Sequence, residues 1–261
     1  MTGSYTKIRV EQHHEGAVWR VILDSPKGNV LDSVMMGDIR AMLGKARGAP
    51  ALRLLVFEGA GKHFSFGASV EEHVREKAGG MLASFHGMFL DMVELSIPSA
   101  AIVRGQCLGG GMELAIFCNF LFAEPSAVFG QPEIKLGVLP PPASIILPLK
   151  IGQANADVLV LTGASVDARR AHEMGLVTHL VPEGKEGWDH VSAWAAENIV
   201  PLSGASLRRA CASSRMQFND VFRTRIREVQ KLYLEDLMAT HDANEGIAAF
   251  IGKRKPAWKH G

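Results

Sequence analysis

The segment Gly105–Ala115, with the sequence GQCLGGGMELA, decides how the middle of this chain folds. The apolar run Ala100–Val103 precedes it and is typical of a buried strand. Three consecutive glycines then allow a sharp turn and a close approach of the backbone to a ligand, because glycine has no side chain. The residues after them predict a helix with Glu113 in its first turn. The N–H groups of such a helix start can hold an anion or a developing oxyanion, although a tight turn without a ligand explains the glycines equally well.

Strand-like and helix-like patterns alternate on both sides of this segment. The runs Lys7–Val10 and Val18–Leu23 predict a hairpin, and the apolar spacing in Ser33–Ala46 predicts a helix. Beyond about residue 200 the pattern is almost wholly helical. The alternation predicts an α/β fold, with a core over residues 1–200 and a C-terminal helical region over residues 201–261.

Composition excludes several classes of protein. The chain has 261 residues, of which 47% are hydrophobic, and its formal net charge of +1 favours neither nucleic acid nor an anionic membrane. We see no secretory leader in the first 16 residues and no apolar run near the ~18 residues of a membrane helix. The three cysteines form no C-x-x-C pair, and the ten histidines show no metal-ligand spacing. We therefore expect a cytoplasmic location and no metal.

Two carboxylates stand in distinctive surroundings. Glu113 follows the glycines, and Glu133 lies in Phe129–Gly137, FGQPEIKLG. Each alone has a simple interpretation, as a helix-start carboxylate or a solvated loop residue. Converging on one pocket, however, two carboxylates push their pKa values apart and can serve as acid and base. A nicotinamide-dependent oxidoreductase stays open as a distant alternative, because Glu133 follows the glycines by about twenty residues, although the third glycine of a dinucleotide site is missing.

Five places along the chain, in order, closely resemble the motifs of the crotonase (enoyl-CoA hydratase/isomerase) family. Together these matches span nearly the whole sequence. They are PKGNVL at Pro26–Leu31, FSFGAS at Phe64–Ser69, the segments Gly105–Ala115 and Phe129–Gly137, and the close EGIAAF at Glu245–Phe250 with KRKP at Lys253–Pro256.

The resemblance implies a crotonase-like spiral of ββα units with a C-terminal helical trimerisation region, assembled as a homotrimer or homohexamer. It implies that the N–H groups of Ala68 and Gly110 form an oxyanion hole for a thioester carbonyl. It implies no cofactor, since coenzyme A is part of the substrate. The residues it assigns to CoA binding are Lys27, Val30, Phe66, Ala68, Phe250 and Lys253. The apolar residues we expect at the trimer interface are Val221, Ile226, Val229, Leu232 and Leu237.

Glu113 and Glu133 together favour a particular activity. Hydratases of the family keep both carboxylates, whereas many isomerases keep one, so the resemblance implies a lyase that adds water to an α,β-unsaturated enoyl-CoA. An enoyl-CoA isomerase and an acyl-CoA hydrolase of the same fold are the alternatives. A non-catalytic scaffold of this fold is a further one, which the presence of both glutamates disfavours.

The sequence departs from the family pattern at two places. Ser69 stands where the family has Asp, and Leu139–Ser144, LPPPAS, replaces a glycine-rich segment. The prolines can start a helix or form a rigid wall of the acyl pocket, to which Phe66 and Met112 add bulk. This combination resembles a subgroup that hydrates flat cyclic dienoyl thioesters, such as cyclohexa-1,5-diene-1-carbonyl-CoA, in aromatic compound degradation.

Overall fold

The computed structural model describes residues 5–261; the first four residues of the predicted core lie outside it. The strands are β1 Ile8–His13, β2 Val18–Leu23, β3 Leu54–Gly59, β4 Ser99–Val103, β5 Gln106–Leu108, β6 Phe120–Ala123, β7 Val128–Gly130, β8 Ser165–Asp167 and β9 His179–Leu180. The helices are α1 Ser33–Arg47, α2 Arg75–Leu95, α3 Gly110–Phe117, α4 Pro141–Thr162, α5 Ala168–Glu173, α6 Gly187–Asn198, α7 Gly204–Ser214, α8 Met216–Lys231 and α9 His241–Ile251.

The strands form two sheets. The first has the order β1-β2-β3-β4-β6-β9, and only its β1–β2 pair is antiparallel. Its central strands β3 and β4 are buried along their whole length, as expected for parallel strands covered on both faces. The second sheet has the order β5-β7-β8. From β4 to β7 successive strands alternate between the two sheets, and α3 joins β5 to β6. This interleaving of strands and helices confirms the predicted α/β spiral.

The C-terminal helices pack on the core of their own chain. Helix α8 lies against α2 and α4, and Phe222, Ile226 and Tyr233 join the main hydrophobic core. The expected interface stripe is therefore wrong for Ile226, which is 2% exposed within the chain, and only Leu232 of those five residues is clearly exposed. An amphipathic helix has the same pattern whether it packs on its own core or on a partner. Trimer assembly stays a prediction.

Helix α4 is bent in its middle. Pro141 and Pro142 occupy its first turn, where proline is well tolerated, and Gly152 interrupts the helix with φ 73° and ψ 159°. By length and hydropathy alone α4 resembles a membrane span. In the structure α4 is bent at Gly152 and packs against α3 and α8 of the same chain.

Candidate active site

The glycine cluster forms the predicted strand–turn–helix unit. Strand β5 ends at Leu108, Gly109 turns the chain with φ 51° and ψ −131°, and α3 begins at Gly110. Gly109 is needed for space as well as for conformation, because a Cβ atom there would lie 2.6 Å from Oε1 of Glu133. Every residue of α3 is buried, including Glu113, which is 3% exposed.

Strands β5 and β7 bring the two glutamates to one place. Strands β5 and β7 are parallel neighbours, so their carboxyl ends meet at the same edge of the small sheet. Glu113 follows β5 in the first turn of α3. Glu133 follows β7 in a 3₁₀ turn over Pro132–Leu136. Both side chains line a single pocket, so the predicted convergence is present.

The walls of this pocket are mostly apolar. Helix α2, the loop that leads into α4 and one residue of α9 supply most of them, and His73 is the polar exception besides the glutamates. The residues that line the pocket are Phe66, Gly67, Ala68, Val70, His73, Met81, Leu82, Phe85, Gly109, Gly110, Glu113, Pro132, Glu133, Leu136, Val138, Leu139, Pro140, Pro141 and Ile247.

The environment favours the neutral form of both carboxyls. Burial raises the pKa of Glu133 to about 7, although its side chain keeps a small surface toward the pocket. Burial also raises the pKa of Glu113 well above its usual range, and the charge of Glu133 raises it further. Because two adjacent anions are unfavourable here, the pair holds one proton near neutral pH. It then offers one acid and one base.

Each carboxylate has a hydrogen-bond donor that fixes its position. The backbone N–H of Ala143 donates to Oε1 of Glu113 at 2.9 Å, which opposes the rise of its pKa. With its amide oriented to donate, Nε2 of the fully buried Gln131 lies 3.0 Å from Oε2 of Glu133. The two glutamates are therefore anchored from α4 and from the end of β7.

The two expected oxyanion donors lie next to each other. A Cβ atom on Gly110 would lie 3.1 Å from the backbone nitrogen of Ala68. Within residues 5–261, neither backbone N–H has a protein acceptor. The loop before Ala68 is held by buried Asn29, whose side-chain amide donates to the carbonyls of Ala60, His63 and Phe64. Two fixed, unoccupied donors at the pocket rim suit a thioester oxygen.

The residues assigned to CoA divide into two groups. Phe66 and Ala68 line the pocket, and the Phe66 ring packs over Gly28 (φ 101°), where any Cβ atom would overlap it. Lys27, Val30, Phe250 and Lys253 are not among the lining residues; of these, Val30 is half-buried and the other three are exposed. Their contacts with CoA stay a prediction. Ile247, from the same C-terminal segment as Phe250, does reach the pocket.

Sequence reasoning missed two polar residues near the glutamates. His73 lines the pocket five residues after Ala68, and its place directly behind the FSFGAS segment was the available indication. Tyr233 is 1% exposed, in a π-helical turn over Leu232–Asp236. Burial raises the pKa of Tyr233, and the nearby charges of Glu133 and Glu113 add to the rise. Nothing in the helical pattern distinguishes Tyr233 from an ordinary core residue.

Comparisons with known proteins agree on one family. The enoyl-CoA hydratase/isomerase family matches residues 13–261. A cyclohexa-1,5-dienecarbonyl-CoA hydratase from Thauera aromatica is 41% identical over 260 residues, which cover 100% of both chains. A probable enoyl-CoA hydratase from Rhizobium meliloti is 35% identical over 98% of this chain and 99% of the relative. An enoyl-CoA hydratase structure from Mycobacterium avium subsp. paratuberculosis superposes with a TM-score of 0.85 over 98% of this chain and 100% of that one, at 20% identity, which shows the shared fold.

Proposed function

The chain belongs to the enoyl-CoA hydratase/isomerase family, and from that premise we propose that it adds water to a cyclic dienoyl-CoA such as cyclohexa-1,5-diene-1-carbonyl-CoA. Hydration of an unsaturated acyl-CoA agrees with the named relatives, of which the Thauera protein is named for this diene. The observation that carries the proposal is the pair of carboxylates, buried Glu113 and half-buried Glu133, in one apolar pocket beside two free backbone donors.

The proposed chemistry assigns one role to each group of the site. The thioester oxygen accepts hydrogen bonds from the N–H groups of Ala68 and Gly110, which stabilise the enolate-like transition state. The ionised carboxylate of Glu113 takes a proton from water while the water oxygen bonds to a carbon of the conjugated system. The electrons shift to the thioester oxygen. As the enolate collapses, the protonated carboxyl of Glu133 gives its proton to carbon, so the pair ends with the one proton it started with.

The Ala143 donor supports Glu113 as the base of the pair. The Ala143 N–H favours the ionised form of Glu113, which suits a base that activates water. Burial raises the pKa of Glu133 to about 7, so near neutral pH a substantial fraction of its carboxyl groups carries the proton that an acid donates.

The walls of the pocket suit a flat ring. Met81, Leu82 and Phe85 of α2 and the Leu139–Pro141 segment supply apolar surface to the same pocket. Proline fixes φ, so the Leu139–Pro141 segment changes conformation less on binding a ligand than the glycine-rich segment of the family pattern. A rigid, apolar space supports a planar ring more than a long flexible chain.

A substrate panel tests the proposal. The purified protein would be mixed with crotonyl-CoA, a longer enoyl-CoA, cyclohexene-carbonyl-CoA and cyclohexa-1,5-diene-1-carbonyl-CoA, and the loss of conjugated-thioester absorbance would be followed. We expect the highest kcat/KM with the diene, and little activity in the matched Glu133→Gln variant. A preference for linear enoyl-CoAs would reject the ring substrate but keep the hydratase. A double-bond shift without water uptake, detected by product mass, would instead identify an isomerase.

A further inference from the structure

Among residues 5–261, His73 is the one lining residue, besides the two glutamates, whose side chain is titratable. It directly follows a 3₁₀ turn over Val70–Glu72, which leads from the oxyanion donor Ala68 to helix α2. The wall residues nearest to it in the chain, Val70 and Met81, are apolar. A polar ring in this apolar wall therefore indicates a role other than packing.

The hydrogen bond of His73 fixes its tautomer. Nδ1 lies 2.7 Å from the backbone carbonyl oxygen of Ser69. A carbonyl oxygen can only accept, so Nδ1 carries the proton. Burial lowers the pKa of His73, which keeps the ring neutral near pH 7. Nε2 then carries a lone pair and no proton, and it has no hydrogen-bond partner among the residues that the structure describes.

A neutral acceptor has a specific use in this pocket. The glutamate pair already supplies the acid and the base, and an acceptor that stays unpaired when a ligand displaces water costs free energy. The acyl group of a cyclic dienoyl-CoA has no O–H or N–H donor to offer. The hydrated acyl group has one, namely its new hydroxyl.

We propose that Nε2 of His73 accepts a hydrogen bond from the hydroxyl group that hydration places on the acyl ring. This inference rests on the proposed function, because hydration supplies the hydroxyl. It makes His73 a specificity-determining residue for hydroxyacyl thioesters. In the dehydration direction, the same bond orients the hydroxyl before it leaves.

The test compares two ligands that differ only in the hydroxyl. They are hydroxycyclohexene-carbonyl-CoA and cyclohexene-carbonyl-CoA, and their dissociation constants would be measured by calorimetry in a Glu133→Gln background, which prevents turnover. We expect His73→Leu to bind the hydroxylated ligand about five- to tenfold more weakly, as for one lost hydrogen bond. The deoxy ligand should bind to His73→Leu at least as tightly as to the parent protein, because leucine removes the acceptor that this ligand leaves unpaired. His73→Gln, whose side-chain oxygen can accept, should recover most of the loss.

Three outcomes separate the possibilities. Equal weakening of both ligands by His73→Leu would assign His73 to the pocket wall and overturn the proposal. Unchanged binding of both ligands would also overturn it. If no thioester of the substrate panel is hydrated but the hydroxyl-dependent loss persists, the proposed function fails while the hydroxyl contact stands. His73→Gln keeps the test decisive should His73→Leu fold poorly.

Discussion

The backbone N–H of Ala143 donates a hydrogen bond of 2.9 Å to Oε1 of Glu113. Ala143 is preceded by three prolines, Pro140 to Pro142, which have no N–H. It therefore supplies the first backbone donor at the N-terminus of α4, where the helix dipole also favours a negative charge. The LPPPAS segment that departs from the family pattern thus positions a catalytic candidate as well as forming a wall.

Replacing Ala143 with proline should remove this donor, because proline is tolerated in a first helical turn but has no N–H. Hydrogen bonds to charged groups contribute about 1.5–3 kcal/mol, so we expect kcat/KM to fall roughly ten- to hundredfold. The acid limb of its pH profile should move to higher pH, because ionised Glu113 loses a stabilising partner. Ala143→Gly, which keeps the N–H, is the control. A wild-type pH profile in Ala143→Pro, with the fold intact by circular dichroism, would contradict this role.

The raised pKa of Glu133 should make stability depend on pH. The pKa of Glu133 is about 7 in the folded protein, against a reference pKa of 4.5. At a pH between these two pKa values, the folded protein keeps a proton that the unfolded chain has lost. The stabilisation is fully present below about pH 4.5 and is lost as the pH rises through 7. At 1.36 kcal/mol per pH unit the loss is roughly 3 kcal/mol.

Glu133→Gln cannot titrate, and so provides the comparison. Its free energy of unfolding, relative to that of the wild type, should rise between about pH 4.5 and pH 7, when both are measured by urea denaturation. A difference that stays constant over this interval would show that the carboxyl of Glu133 titrates normally in the folded protein.

Gly109 should tolerate no side chain, because the added Cβ atom would lie 2.6 Å from Oε1 of Glu133 and the residue has φ 51°. Gly109→Ala should displace the carboxylate and lower kcat by roughly 10²-fold, as misplacement of a catalytic group typically does. Gly44→Ala in α1 is the matched control, since its Cβ atom meets nothing within 4 Å, and it should stabilise the protein by about 0.4–1 kcal/mol. Near-normal activity of Gly109→Ala would place Glu133 outside the reaction.

The sequence predicted those parts of the site whose conformation depends on neighbouring residues in the chain. A glycine cluster after a strand restricts the backbone, so the turn at Gly109 follows from the sequence itself. The pairing of Glu113 with Glu133 follows only from the family resemblance, because it depends on contacts between distant segments. The contribution of His73 depends on its place in the pocket wall, and a lone histidine in a sequence gives no such information. The expected position of Ile226 at a trimer interface is wrong, because the apolar stripe of a helix does not identify the surface that covers it.

Both glutamates should be needed for hydration. Glu→Gln keeps the shape of the side chain but removes its titration, so each single substitution should lower kcat by roughly 10²–10⁴-fold. The double substitution should cost less than the product of the two, because the carboxyls share one proton and act as a unit. Thioester binding should survive in all three variants, since the expected oxyanion donors, Ala68 and Gly110, belong to the backbone.

Single-turnover kinetics and direct binding measurements on the Glu113→Gln, Glu133→Gln and double variants would separate these effects. Retained binding with lost hydration supports the pair as acid and base. If Glu133→Gln kept near-normal hydration of every thioester tested, the mechanism would be wrong. If only Glu113→Gln kept near-normal hydration, the reaction would not need a second carboxylate to activate water. The site would then resemble that of an isomerase with one carboxylate.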